Sequence, residues 1–194
     1  GLTGTFPLID TSNGTTFNSA WYGCSGLTGT FPPIDISSGT DFANTWRGCS
    51  GITTFPALNF SSGTNFQHTW SSCSGLTTFP QIDTSSGTNF NNTWSGCSGL
   101  STFPVLDTSS GTTFQATWQN CTGLSTFPSS IDVSNGTNFP YCWKACSGLS
   151  TFPVLDTSSG TNFSNTWSYC SGITTFPVLD VSNGTDFSNT WLRM

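Results

Sequence analysis

Charged residues are scarce in this chain. Only 6% of its 194 residues are charged, the basic residues are limited to Arg47, Lys144 and Arg193, and His68 is the one histidine. Glutamate is absent. General acid–base chemistry draws on these residue types, and no combination of nucleophile, base and orienting group is visible. We therefore expect a protein that is not an enzyme.

The charge that is present also excludes partners. The formal net charge is -6, whereas binding to phosphates requires clustered Lys and Arg side chains. Long hydrophobic runs are lacking too, so no segment could cross a bilayer, and no basic-then-apolar start resembles a signal peptide. We expect neither a nucleic-acid partner nor membrane insertion.

Tryptophan is the residue that organises the chain, because it recurs every 24 or 25 residues. Such self-similarity indicates stacked units that bury their apolar faces against one another. We number the units one to eight by their tryptophan. The sequence predicts one repeat solenoid over residues 1–194 and, because Gly1 lies inside the pattern, part of a longer protein.

Unit four shows the expected local structure. Residues 76–79 are β-prone and Pro80 interrupts the strand, after which small polar residues predict a turn. Phe90, Trp94 and Cys97 then follow the i, i+4, i+7 spacing of one helical face. We predict a leucine-rich-repeat-like fold in which each unit has a short parallel β-strand, a turn and a short α or 3₁₀ helix. A right-handed β-solenoid is the fallback.

Single-residue insertions and glycines refine this prediction. Gly4, Gly29 and the extra serine at Ser129 and Ser130 should be absorbed as bulges or loops. Gly87 and Gly99 are expected where the backbone needs a conformation that other residues resist, Gly99 at the end of the helix.

The aromatic and thiol groups of the repeated triad should form the core. Metal ligation and a disulfide framework are weaker interpretations of the cysteines than buried free thiols, because each thiol is a whole repeat from the next. Cys142, outside the row, is the candidate reactive thiol. Each indole N–H needs a partner, for which we expect a carbonyl in the adjacent unit. The predicted core residues are Trp21, Trp46, Trp70, Trp94, Trp118, Trp143, Trp167, Trp191, Cys24, Cys49, Cys73, Cys97, Cys121, Cys146 and Cys170.

The junctions between units resemble a known family. Cys-Ser-Gly followed by Leu or Ile spans Cys97 to Leu100, Cys146 to Leu149 and Cys170 to Ile173, and the sequence Leu-Thr-Thr-Phe-Pro is similar to BspA-like leucine-rich repeats of bacterial and viral surface proteins. The resemblance implies an adhesion or recognition module located extracellularly, on a cell or virion surface. It also implies a buried cysteine and a parallel sheet. This chain departs from the family in using Trp for Phe or Met, and in placing Pro directly after the strand Phe.

Two polar rows allow further interpretations. The aspartates at equivalent positions are expected to stabilise turns, with calcium as the weaker alternative, so no cofactor is predicted. These aspartates are Asp10, Asp35, Asp83, Asp107, Asp132, Asp156 and Asp180. The threonines are expected on a solvent-facing strand surface, with ice binding as the alternative, and they are Thr54, Thr78, Thr102, Thr126, Thr151 and Thr175.

Positions that vary between units predict the functional surface. The leading hypothesis is a recognition and adhesion scaffold that binds a protein or glycan on a cell surface through variable outward residues. The alternatives are a structural spacer or fibre segment and, third, an ice-binding protein. Uncovered terminal units could also associate end to end. The candidate binding residues are Tyr22, Arg47, Gln67, His68, Gln81, Tyr141, Lys144 and Tyr169.

Overall fold

The computed structural model describes residues 3–194, and within them it contains two short strands and no helix. Strand β1 is Gly29–Thr30 and strand β2 is Ile52–Thr54. They pair in parallel, with Gly29 opposite Ile52 and Thr30 opposite Thr54, so the register shifts by one residue. The insertion at Gly29 therefore lies at a β-bulge, as predicted.

A row of isolated parallel bridges links all eight units. We call the phenylalanine four residues before each tryptophan the turn-side phenylalanine, and the one in each Thr-Phe-Pro sequence the strand-side phenylalanine. The row passes through the residue before each turn-side phenylalanine, and it consists of Thr16, Asp41, Asn65, Asn89, Thr113, Asn138, Asn162 and Asp186. Because each bridge joins equivalent residues of consecutive units, the units repeat by translation along the chain. This order is what a solenoid requires.

The sequence predicts a strand in every unit, but among the described residues only units two and three contain one. For the other units this prediction is wrong. On the strand side, junctions such as those made by Thr77, Ser101 and Ser125 have one backbone hydrogen bond each, from that residue's N–H to the preceding unit. The proline after each strand phenylalanine has no N–H to extend the ladder. Pairing on this side is therefore short, and beyond β1 and β2 it includes only the isolated parallel bridges Gly4–Leu27 and Thr151–Thr175 among the described residues.

The predicted helix is also wrong, because residues from the phenylalanine to the cysteine form consecutive turns. In unit two, Phe42, Asn44 and Trp46 donate their backbone N–H groups to carbonyls of unit three, whereas Thr45 and Arg47 donate to residues three positions earlier. Successive N–H groups would bond to residues four positions earlier in an α-helix and three positions earlier in a 3₁₀ helix. Alternate N–H groups instead join neighbouring units.

Left-handed residues produce this alternation. The second residue after the phenylalanine and the second after the tryptophan have positive φ in every unit. Both a helix and this turn segment point the phenylalanine, tryptophan and cysteine inward, so the spacing of the three residues could not distinguish them. The residues at these two positions, all with positive φ, are Ser19, Gly23, Asn44, Gly48, His68, Ser72, Asn92, Gly96, Ala116, Asn120, Tyr141, Ala145, Asn165, Tyr169, Asn189 and Arg193.

The core consists of stacked aromatic rings. Indole centroids in neighbouring units lie 5.4–6.1 Å apart with nearly parallel planes. The turn-side phenylalanines stack at 5.5–5.8 Å. The strand-side phenylalanines pack edge to face against the indoles. The ring centroids of Phe55 and Trp46, for example, are 4.9 Å apart. Seven of the eight predicted core tryptophans are buried, but Trp191 is 46% exposed because it packs against the indole of unit seven on one side only.

The cysteines lie in the same core as free thiols. Six of the seven row cysteines are buried and Cys24 is half-buried. From Cys49 onward, each row thiol donates to the tryptophan carbonyl of the preceding unit at 3.0–3.2 Å. The expected carbonyl partner of the indole N–H is absent for the six tryptophans from Trp46 to Trp167. Cys142 is buried and its burial raises the pKa of the thiol, which opposes the predicted reactivity.

The two glycines singled out in unit four are needed for space. Neither has a positive φ. A Cβ on Gly99 would lie 2.5 Å from the Ser74 carbonyl oxygen, and one on Gly87 would lie 2.5 Å from the Phe90 ring. Close approach between units and rings therefore selects glycine at these positions. The leucine-rich-repeat-like class and its β-solenoid fallback both stay predictions.

Candidate binding surface

The variable residues predicted from the sequence lie mainly on one side of the stack, which we call the turn face. It is formed by the first and second residues after the turn-side phenylalanine and after the tryptophan of each unit. Most of these side chains are exposed or half-buried, because the phenylalanine, tryptophan and cysteine of the same segment occupy the core. The turn face can therefore change its side chains without changing the aromatic columns.

One group of side chains on the turn face combines tyrosines with cations. The Lys144 ammonium lies 5.1 Å from the ring centroid of Tyr141 and 5.6 Å from that of Tyr169. The Arg193 guanidinium lies 5.7 Å from the centroid of Tyr169. All three distances are in the range of cation–π attraction. We call Tyr141, Lys144, Tyr169 and Arg193 the Lys144 cluster; it spans units six to eight.

A second group lies in units one to three. The Arg47 guanidinium is 5.7 Å from the ring centroid of Tyr22 and donates to the Asn44 side-chain oxygen at 3.2 Å. His68 is half-buried, and burial followed by the charge of Arg47 lowers the pKa of its ring. Its Nδ1 is buried without a hydrogen-bond partner. We call Tyr22, Asn44, Arg47 and His68 the Arg47 cluster.

These two clusters contain every tyrosine, lysine and arginine of the chain. The chain has nine aspartates for three basic residues, yet no carboxylate oxygen lies within 4.0 Å of a Lys or Arg nitrogen in residues 3–194. The cations are held by aromatic rings and by one amide oxygen. Their charge is therefore not neutralised by an internal ion pair.

The tyrosines of the Lys144 cluster also occupy unfavourable backbone positions. Tyr141 has φ 60° and Tyr169 has φ 63°. Residues other than glycine rarely adopt this left-handed region, and bulky residues do so least. Equivalent positions in units four and five hold Asn92 and Asn120, and asparagine tolerates this region better. Strained backbone at bulky residues is characteristic of functional sites.

The remaining binding residues predicted from the sequence, Gln67 and Gln81, lie outside these clusters. Gln67 is half-buried on the turn face, and its carbonyl accepts the Asn44 N–H at 2.9 Å. Gln81 is exposed but follows Pro80 on the strand side, so it does not belong to the turn face. Sequence reasoning missed Arg193 as a site residue, although it occupies the position of Tyr169 one unit later.

The aspartate row has the expected turn geometry. The carboxylates of Asp10, Asp35, Asp83, Asp107, Asp132, Asp156 and Asp180 each accept the backbone N–H of the residue two positions later at 2.9–3.1 Å. The hydroxyl and backbone N–H of Ser85 lower the pKa of Asp83 in this way. In residues 3–194 no three His, Cys, Asp or Glu side chains are grouped to hold a metal. That no cofactor is needed stays a prediction.

The serine insertion in unit six produces a separate concavity. Ser129 and Ser130 form a turn, and beside it lies a cleft of about 370 Å³ lined in part by Asp132, Val154 and Asp156. The insertion is thus absorbed locally, as predicted. The part of the chain that the structure describes contains no apolar helix long enough to cross a membrane.

No protein-family model matches this chain, and neither a curated protein nor a solved structure gives a significant match. The BspA-like resemblance therefore stays a prediction, and the function has to be inferred from the geometry.

Proposed function

We propose that the chain is a non-enzymatic recognition module that binds a protein or glycan on a cell surface through its turn face, with the Lys144 cluster as the principal contact. The observation that carries the proposal is the placement of Tyr141 and Tyr169 at left-handed backbone positions around an unpaired lysine. Such positions cost stability, and nothing in the stacking of units requires a large side chain there.

The division of roles within each unit supports the same proposal. Stacking depends on the aromatic columns, the row thiols and the hydrogen bonds between units, which recur throughout the chain. Tyrosine and arginine are enriched at protein contacts that carry binding energy. An extracellular setting, on a cell or virion surface, is part of this proposal and rests on the sequence resemblance.

A matched pair of variants tests it on glycan and protein arrays. Lys144→Gln places in unit six the residue that unit five has as Gln119, so it should preserve the fold. We expect saturable binding by the parent chain and loss of most of it in Lys144→Gln. Gln119→Ser, which changes the same face outside the cluster, is the control and should bind like the parent.

The spacer hypothesis predicts the opposite result. Near-identical stacked units would serve a passive rod equally well. No binding across both arrays, or binding that is the same in all three proteins, would favour the spacer and remove the support for recognition.

A further inference from the structure

We infer that the Lys144 cluster recognises a glycan that carries a single acidic sugar, with the acidic group held by Lys144, whose positive charge Arg193 reinforces from the other side of Tyr169, and with the sugar contacting Tyr169. This inference rests on the proposed function and names the ligand class of the same surface.

The charge of the site indicates an anionic group. Lys144 and Arg193 both contact the ring of Tyr169, so two positive charges lie beside one aromatic side chain. The rings orient the cations without consuming their hydrogen-bond donors, since a π face attracts the charge as a whole. The ammonium and guanidinium N–H groups stay available for a carboxylate or sulfate, to which charge-assisted hydrogen bonds are stronger than neutral ones.

The extent of the site indicates a small ligand. A stable protein interface uses about 20–30 residues on each side, whereas the Lys144 cluster has only four. The rest of the chain has net negative charge and would repel a dense polyanion. One acidic group on an otherwise neutral molecule satisfies both conditions.

The surroundings favour a sugar over an acidic peptide. Tyr169 is 37% exposed, so a sugar can contact the exposed part of its side chain. The neighbouring units present Asn120 and Asn165 on the same turn face. Their amide groups can both donate and accept hydrogen bonds, which matches the hydroxyl groups of a sugar.

Calorimetric titration of the full chain with three related sugars tests the ligand class. Sialyllactose and sulfated lactose carry one acidic group from two different sources, and lactose is the neutral counterpart. We expect at least one acidic sugar to bind at least tenfold more tightly than lactose, since one charge-assisted hydrogen bond supplies about tenfold or more. Preference for one acidic sugar identifies the source of the charge.

Variants connect the binding to the named residues. Lys144→Gln should reduce the affinity for the acidic sugar at least tenfold and leave that for lactose unchanged. Tyr169→Asn, which reproduces Asn120 of unit five, should weaken both sugars. Gln119→Ser is the control, and circular dichroism should be the same for all four proteins. Equal affinity for acidic and neutral sugars, or no effect of Lys144→Gln, overturns the inference.

A fourth probe separates failure of the ligand class from failure of the proposed function. An aspartate-rich peptide that binds in a Lys144-dependent way, with no sugar bound, would overturn the acidic glycan but retain recognition by the Lys144 cluster. If the sugars, the peptide and the arrays all show no binding, both the inference and the proposed function are wrong.

Discussion

The left-handed positions of the turn segment can be tested with one pair of opposite substitutions. Gly48 and Ala145 both stand two residues after the tryptophan, in units two and six, with φ of 77° and 58°. Both are half-exposed, and a Cβ on Gly48 would have its first contact 3.6 Å away, at Gly23. Packing is therefore nearly the same for both residues, and the dihedral angle dominates the comparison.

The expected magnitude follows from two opposing contributions. An alanine in the left-handed region costs about 1–2 kcal/mol, whereas glycine loses about 0.5–1 kcal/mol more conformational entropy on folding. The net difference is about 0.5–1 kcal/mol in favour of glycine. Ala145→Gly should therefore raise the free energy of unfolding, and Gly48→Ala should lower it by a similar amount.

Urea unfolding followed by tryptophan fluorescence measures both changes, with the denaturant slope checked for constancy. The double variant, which exchanges the two residues, should be close to the parent because the sites lie four units apart. If Ala145→Gly destabilises the protein, or Gly48→Ala leaves its stability unchanged, the left-handed conformation at these two positions does not set their stability and the reasoning is wrong.

Three other substitutions test features of the core and of the Arg47 cluster. Gly99→Ala should destabilise strongly, by more than about 2 kcal/mol, since its Cβ would overlap the Ser74 carbonyl; unchanged thermal unfolding would contradict the close approach. Cys142→Thr should stabilise by about 1 kcal/mol, because the equivalent Thr117 and Thr166 each donate their hydroxyl to a phenylalanine carbonyl of the preceding unit; Cys142→Val is its control and should give no gain. His68 has a lowered pKa, so its contribution to stability is full above the usual value of 6.5 and falls as the pH drops toward the folded pKa. His68→Asn should flatten the pH dependence of unfolding in that window, and an unchanged profile would refute the assignment.

The sequence was informative about the repeat and the core because both depend on residue spacing. The period, the inward aromatic and thiol groups and the turn role of the aspartates all follow from chemistry that repeats at fixed intervals. Local backbone conformation was predicted less well. Phe90, Trp94 and Cys97 have helical spacing, but a left-handed residue between each pair allows the same three side chains to point inward without a helix.

The candidate site was partly predictable for a related reason. Differences between units identified Tyr22, Arg47, Tyr141, Lys144 and Tyr169 as outward residues, and the structure places them in two clusters. The side chains that contact one another in these clusters mostly come from consecutive units. The contacts therefore depend on how one unit stacks on the next, and the spacing of residues within a unit does not predict that stacking.

The hydrogen bonds of the turn segments give the stack a direction. At every junction, backbone N–H groups in the turn segment of one unit donate to carbonyls of the next unit. The N–H of Phe17 donates to the Asp41 carbonyl, and the N–H of Tyr169 donates to the Leu192 carbonyl. Units are consequently interchangeable in position but not in orientation. Duplication or exchange of a whole unit would preserve each junction while moving its surface residues, so new contact surfaces can arise by reshuffling existing units with little change to the interior.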